Sequence, residues 1–217
     1  MPVRVGLRYI DIWDDSLEDA VREYEAEPII KDQIVFYGPS YFTRWSAKWN
    51  HAPLRDVMLG NSGAQCSINR GFGSSCPEHQ LYYYPRMIRP LEPRVLVYGC
   101  IGNSSAFGYS DEEAFELAQR VIMYALTDFP DLRVYLMGAK GKMNMNEENL
   151  AKFKVQSDMV REFAEATPRC HFVDPLAYEP LRRNDIYVKD GVHYNREGYD
   201  IFADFWRDAL KDELVKY

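Results

Sequence analysis

The chain is predicted to be an α/β protein with one parallel sheet covered by helices on both faces. Three observations predict this. Short apolar runs bounded by turn residues recur at 33–37, 65–69, 94–99, 132–137 and 170–173. Most are near-continuous rather than alternating, as in strands buried on both faces. Helical patterns stand between them, and regular strand–helix alternation builds parallel sheets.

Each element follows from local signals. "DDSLEDAVREYEAE" (14–27) predicts a helix ahead of the first strand, within an N-terminal helical extension of about 1–30. "QIVFY" (33–37) is the first strand and stops at Gly38. "QCSIN" (65–69) is polar for a strand and the least marked of the five. "CPEHQLYYYPRMIRPL" (76–91) reads as a helix with Pro77 in its first turn, whereas Pro85 predicts a kink. After "RVLVYG" (94–99), the helix at 110–126 starts on a capping box, Ser110 with Glu113 three residues on. "LRVYLM" (132–137) precedes a long helix at 146–166. "CHFV" (170–173) precedes a last helix at 195–214, which Asn195 can cap. The longest irregular stretches are 46–64 and 138–146, and loops at the strand ends of such sheets carry function. There is no repeat, low-complexity tract or linker, so 1–217 is read as one domain.

Composition narrows the function. The 217 residues, 47% of them apolar, suffice for one sizeable core. A formal charge of −7 argues against a nucleic-acid binder, which needs a basic face for phosphates. No run of about 18 apolar residues predicts a membrane span. The N-terminus turns acidic too soon for a signal peptide. The expected location is therefore cytoplasmic, with Cys66, Cys76, Cys100 and Cys170 as reduced thiols. No CxxC pair points to zinc.

Four stretches bear on chemistry. "IVFYGPSYFTRW" (34–45) ends a strand in Gly-x-Ser, which puts the Ser40 hydroxyl at the carboxyl edge of the sheet. Ser40 is either a turn or cap residue, the commoner case, or a nucleophile. "KDGVHYNREGYD" (189–200) places Asp190 and His193 three apart before the last helix. Neutral imidazole can take a proton from serine while a carboxylate fixes its tautomer; the alternative is a polar loop with a surface histidine. "INRGFGSS" (68–75) is either a Gly-rich turn, a weak phosphate nest or a source of backbone N–H groups for an oxyanion. "YGCIGNSS" (98–105) offers the Asn103 amide for the same task, or plain turn chemistry.

Taken together and in order, these blocks resemble the SGNH hydrolases, also called the GDSL esterase/lipase family. The match is closest to a bacterial branch with blocks like "FVGSSSIRLW" and "NRGFGGS", here "FYGPSYFTRW" and "NRGFGSS". "VYGCIGN", "DGVHYNREGY" and the upstream helix fit the same branch, so the resemblance spans nearly the whole chain. It implies a flavodoxin-like three-layer α/β/α sandwich with about five parallel strands. By that match Ser40 is the nucleophile, His193 the general base and Asp190 its orienter. The oxyanion hole would use the Ser40 N–H, the Ser74 N–H and the Asn103 amide. No metal or organic cofactor is implied.

Three positions depart from the pattern. Pro39 stands where the family often has Asp or Ser. Ser74 falls on the family's oxyanion glycine, bringing a Cβ that crowds the substrate or demands a φ serine dislikes. Asn103 fits with one extra residue after its strand, and no acid follows it. The expected function is a serine esterase or acylhydrolase acting on a small ester. An O-acetyl group on a carbohydrate is suggested by the family alone, and no apolar lid segment speaks for long-chain lipids. Acyl transfer to another alcohol fits the same residues. The rival is a catalytically silent binding protein on this fold. A small-molecule ester is the expected partner, with no nucleic acid and no membrane; the sequence carries no signal for oligomeric state.

Other residues are expected to be structural. Trp45 and Trp49 should pack, and the tyrosines at 82–84 should divide between core and surface. His51, His79 and His171 lack partners at metal spacing. "KGK" (140–142) is either a solvated loop or a contact for a polar or anionic substrate.

Overall fold

In the computed structural model, which describes residues 14–217, five strands form one sheet: β1 (Ile34–Gly38), β2 (Ser67–Gly71), β3 (Val95–Gly99), β4 (Arg133–Met137) and β5 (Cys170–Val173). All neighbours are parallel and the order is β2-β1-β3-β4-β5. This is the doubly wound flavodoxin-like order. The expected three-layer architecture is present. Residues 1–13 of the anticipated N-terminal extension lie outside the described residues.

Side chains alternate across each strand, so both faces need covering. From β1 and β3, Val35, Tyr37, Leu96 and Tyr98 enter one core; Ile34, Phe36, Val95 and Val97 enter the other. The first core is closed by α1 (Asp14–Glu25), α4 (Pro77–Met87), α5 (Asp111–Asp128) and α6 (Glu147–Ala166), through Val21, Tyr84, Val121 and Val160. The second is closed by α2 (Ser40–Thr43), α3 (Leu54–Val57), α7 (Arg196–Ala209) and α8 (Lys211–Leu214), through Phe42, Leu54, Phe202 and Leu214. Every residue of β1 and β3 is buried, which is why these runs are apolar without alternation.

The polar strand is an edge strand, and it begins two residues later than expected. Its ladder takes in Asn69 and Arg70 because both find partners. The Asn69 amide donates to the Phe42 carbonyl (2.8 Å), and Arg70 pairs with Glu27 across the Tyr24 ring. The predicted last helix is two helices, broken at Leu210. The break lets Leu210 bury fully while the nearly buried Glu213 pairs with Arg133 of β4. Pro85 lies inside α4, which nevertheless continues to Met87. The capping box of Ser110 and Glu113 is formed, and Asn195 caps α7 through Gly198. Tyr82 is half exposed, whereas Tyr83 and Tyr84 are buried. Among the described residues, no helix is long and apolar enough to cross a membrane.

Candidate active site

The strand order reverses direction between β1 and β3, since β1 leads outward to β2 and β3 leads outward to β4. Open α/β sheets bind ligands at the carboxyl end of such a switch point. The loops after these two strands carry Ser40 and Asn103.

Ser40 opens α2, a single helical turn in which Arg44 N donates to Ser40 O (2.8 Å). The turn fits tightly because two strand ends lack side chains. A Cβ on Gly71 would lie 2.1 Å from Thr43 N, and one on Gly99 would lie 2.0 Å from the Tyr41 hydroxyl oxygen. Pro39 is extended (φ −75°) and precedes the turn without distorting it. The Ser40 N–H is the first of that turn, so no intrahelical carbonyl claims it.

The Asp190–His193 loop folds back against this turn. Ser40 Oγ lies 2.7 Å from His193 Nε2, and His193 Nδ1 lies 2.8 Å from Asp190 Oδ2. Asp190 Oδ1 accepts the backbone N–H groups of Val192 and His193, both at 2.9 Å. Gly191 takes φ +69° between them, a left-handed conformation that a side chain would oppose. The loop is anchored by Val188 N to His193 O (2.9 Å) and by the Tyr199 hydroxyl to Tyr41 O (2.9 Å). Three residues named from sequence are thus brought into one hydrogen-bonded line.

The charges suit proton transfer. Burial lowers the His193 pKa, and the nearby Arg44 pushes the same way, while the bond to Asp190 opposes them; the net shift is downward. For Asp190, burial acts upward but is outweighed by the His193 and Val192 N–H groups and the imidazole. Its carboxyl is held well below the usual carboxylate range. At neutral pH the pair is therefore imidazole and carboxylate, the state a general base requires.

The other two blocks fare differently. Gly102, at φ +150°, sits where an added Cβ would lie 3.1 Å from Pro39 Cγ, and Asn103 follows in the left-handed region at φ +60°. Asparagine tolerates that region. The additional residue after β3 is absorbed by this bend, and Asn103 lines the same cleft as Ser40. Its Nδ2 donates to Ser75 O at 2.9 Å, which uses one of two amide hydrogens. Ser74 does take a left-handed φ, +62°, but it is exposed and stands outside the cleft lining. Its neighbour Ser75 accepts the Asn103 amide, so the second and third blocks meet at this edge of the sheet.

The cleft has a volume of about 260 Å³. Ser40, Tyr41, Ile101 and Asn103 line it together with the apolar Phe115, Phe153 and Met159. Among the described residues, no group of His, Cys, Asp and Glu could hold a metal ion.

Solved structures share this arrangement of strands and helices. A candidate acylhydrolase from Bacteroides fragilis superposes with TM-score 0.71 at 20% identity, over 93% of this chain and 98% of its own. A GDSL-like lipase from Bacteroides thetaiotaomicron gives 0.70 at 19%, over 91% and 98%. An acetyl xylan esterase gives 0.68 at 20%, over 82% and 99%. The chain has the SGNH-hydrolase fold. By sequence, no family model and no curated protein matches it.

Within this SGNH fold, one residue at the site, Arg44, escaped sequence reasoning. Arg44 Nη1 donates to Asp190 Oδ2 at 3.0 Å, and its guanidinium lies 4.3 Å from the Trp49 ring centroid. Trp49 is therefore not a core residue: it is 43% exposed and supports Arg44, whereas Trp45 is buried as expected. The available signal was the position of Arg44, one helical turn beyond Ser40. Lys140 is no solvated loop residue. Its ammonium donates to Gly141 O (2.9 Å) and Val192 O and sits 4.2 Å from the Tyr194 ring centroid. Burial lowers its pKa to about 7 against the pull of Asp190. The histidines outside the site are structural: His51 packs on Tyr199, His79 joins the α4 cap, and His171 stacks on Tyr135.

Proposed function

We propose that the protein is a serine esterase acting on small esters, with Ser40, His193 and Asp190 as its catalytic residues. The observation that carries this reading is the unbroken line from Ser40 Oγ through the imidazole to Asp190, with Ser40 lining a cleft at the switch point. His193 Nε2 takes the hydroxyl proton as Ser40 Oγ bonds to the ester carbonyl carbon. Asp190 stabilises the imidazolium. The Ser40 N–H and the free Asn103 amide hydrogen are the oxyanion donors this geometry supports. His193 then gives its proton to the leaving alcohol. Water, deprotonated by the same imidazole, releases the acid and restores Ser40.

The small cleft suits short acyl groups, since pockets for drug-sized ligands run to roughly 300–1,000 Å³. An O-acetyl group on a carbohydrate is the proposed substrate, supported by the acetyl xylan esterase among the structural neighbours. The test is covalent labelling of Ser40 by a fluorophosphonate together with turnover of short-chain aryl esters and acetylated sugars. Labelling and turnover that both vanish in Ser40→Ala are expected. A protein that neither labels nor turns over any ester would be a silent binder. A serine, Ser74 at φ +62°, where the family's oxyanion glycine stands is what favours that second reading.

A further inference from the structure

The cleft beside Ser40 carries the opposite charge to the protein as a whole. The chain is acidic, at −7, yet Lys140, Lys142 and Lys152 all line the cleft and face one carboxylate, that of Asp111. Asp111 is already engaged. It stands in the first turn of α5, where the helix dipole favours an anion, and it accepts from Gln156 Nε2 at 2.8 Å. Neither Lys142 nor Lys152 pairs with a carboxylate among the described residues. Outside the cleft, Lys31, Lys154 and Lys216 pair with Glu92, Asp158 and Glu213.

Their placement is built by the fold. Lys152, Gln156 and Met159 recur at i, i+4 and i+7 on α6, which puts them on one stripe above the cleft. Lys142 is half-buried, with its ammonium 5.8 Å from the Phe153 ring centroid. Lys140 uses two N–H groups on Gly141 O and Val192 O. Val192 adjoins His193, the residue that must protonate the leaving alcohol. The positive side of the cleft therefore meets the alcohol half of an ester rather than its acyl half.

We propose that this cleft selects esters whose alcohol half bears an acidic group, a carboxylate or a phosphate, with Lys142 and Lys152 recognising the anion. The inference rests on the esterase reading for its orientation, but charge selection is measurable without it. Acetylated glucuronic acid, acetylated glucose 6-phosphate and acetylated glucose, matched in acetyl position, form the comparison. The expected kcat/KM favours at least one acidic sugar over the neutral one by about tenfold, the scale of one hydrogen bond to a charged group. The larger of the two ratios identifies the anion. Added salt should lower the ratio, because an ionic contact in an open cleft is screened. In a protein carrying Lys142→Gln and Lys152→Gln, the ratio should fall to within about twofold of one. A wild-type ratio at or below one, with Ser40 labelled and acetylated glucose turned over, would overturn the inference and leave the esterase reading intact. If no ester is turned over and Ser40 does not label, calorimetric binding of free glucuronate and glucose 6-phosphate against glucose decides it. Salt-sensitive binding of an acid supports the inference, and equal or absent binding overturns it.

Discussion

Arg44 and His193 hold the same oxygen of Asp190, at 3.0 and 2.8 Å. Asp190 thus stands between a permanent cation and a titrating one. Because the guanidinium cannot give up its proton, it disfavours a second positive charge on the neighbouring imidazole.

The pH profile follows with a definite sign. His193 has a lowered pKa, so its neutral, basic form persists below the ordinary value of about 6.5. Ester kcat/KM should rise with pH through a midpoint below about 6.5 and then level off. Arg44→Met removes the cation and should move that midpoint upward, with a smaller change in the plateau. A midpoint that stays put in the Arg44→Met profile would separate Arg44 from the proton transfer.

Ser40 and His193 should fail together. Ser40→Ala and His193→Ala are each expected to cost on the order of 10⁴–10⁶ in kcat. The double variant should lie within about tenfold of either single one, since the two groups perform one step. Steady-state kinetics on a short aryl ester measures this, and multiplicative losses would exclude a shared mechanism.

Asn103 needs a substitution that respects its backbone. Alanine at φ +60° would add strain to the loss of the amide, whereas Asn103→Gly deletes the amide and keeps the left-handed turn open. If the second amide hydrogen meets the oxyanion, Asn103→Gly should lower kcat by about 10²–10³ with little change in KM. A loss under about threefold in the folded protein would remove Asn103 from the hole.

Gly71 and Gly73 offer a contrast in stability. A Cβ on Gly71 would run into the backbone at Thr43 N and Phe42 C, at 2.1 and 2.4 Å, where nothing can rotate away. One on Gly73 would meet only the Thr43 side chain, at 3.4 Å or more. Gly71→Ala should therefore cost at least about 2 kcal/mol, by separating α2 from β2. Gly73→Ala should stay within about 0.5 kcal/mol. Urea denaturation of the two variants makes the comparison.

Much of this architecture is legible in the chain, for reasons visible at particular residues. The runs of β1 and β3 are wholly apolar because both faces are buried, and only a doubly covered strand shows that pattern. Ser110 and Asn195 mark helix starts because their side chains satisfy N–H groups that nothing else reaches. Where contacts across the fold decide, local signals mislead. Arg70 looks like a strand breaker until Glu27 is brought beside it. Leu210 ends a helix without glycine or proline because Arg133 draws Glu213 inward. Trp49 and Lys140 exchange their expected surroundings, the first held outward by Arg44 and the second enclosed by two tyrosines. The blocks that name Ser40, Asp190 and His193 are read along the chain, but that Asn103 reaches the cleft depends on a three-dimensional bend at Gly102.

Ser40 and His193 are 153 positions apart, and the Tyr199 hydroxyl clasps the Tyr41 carbonyl from still further along. Synthesis runs from the N-terminus, and domains tend to fold in that order. The serine turn is thus made first, and the imidazole that comes to lie beside it follows 153 positions later. Until then the hydroxyl has no proton acceptor at its side, so a half-made chain holds a serine of ordinary reactivity. On the proposed mechanism the topology acts as a timing device: reactivity is withheld until the sheet is complete and α7 has docked across it.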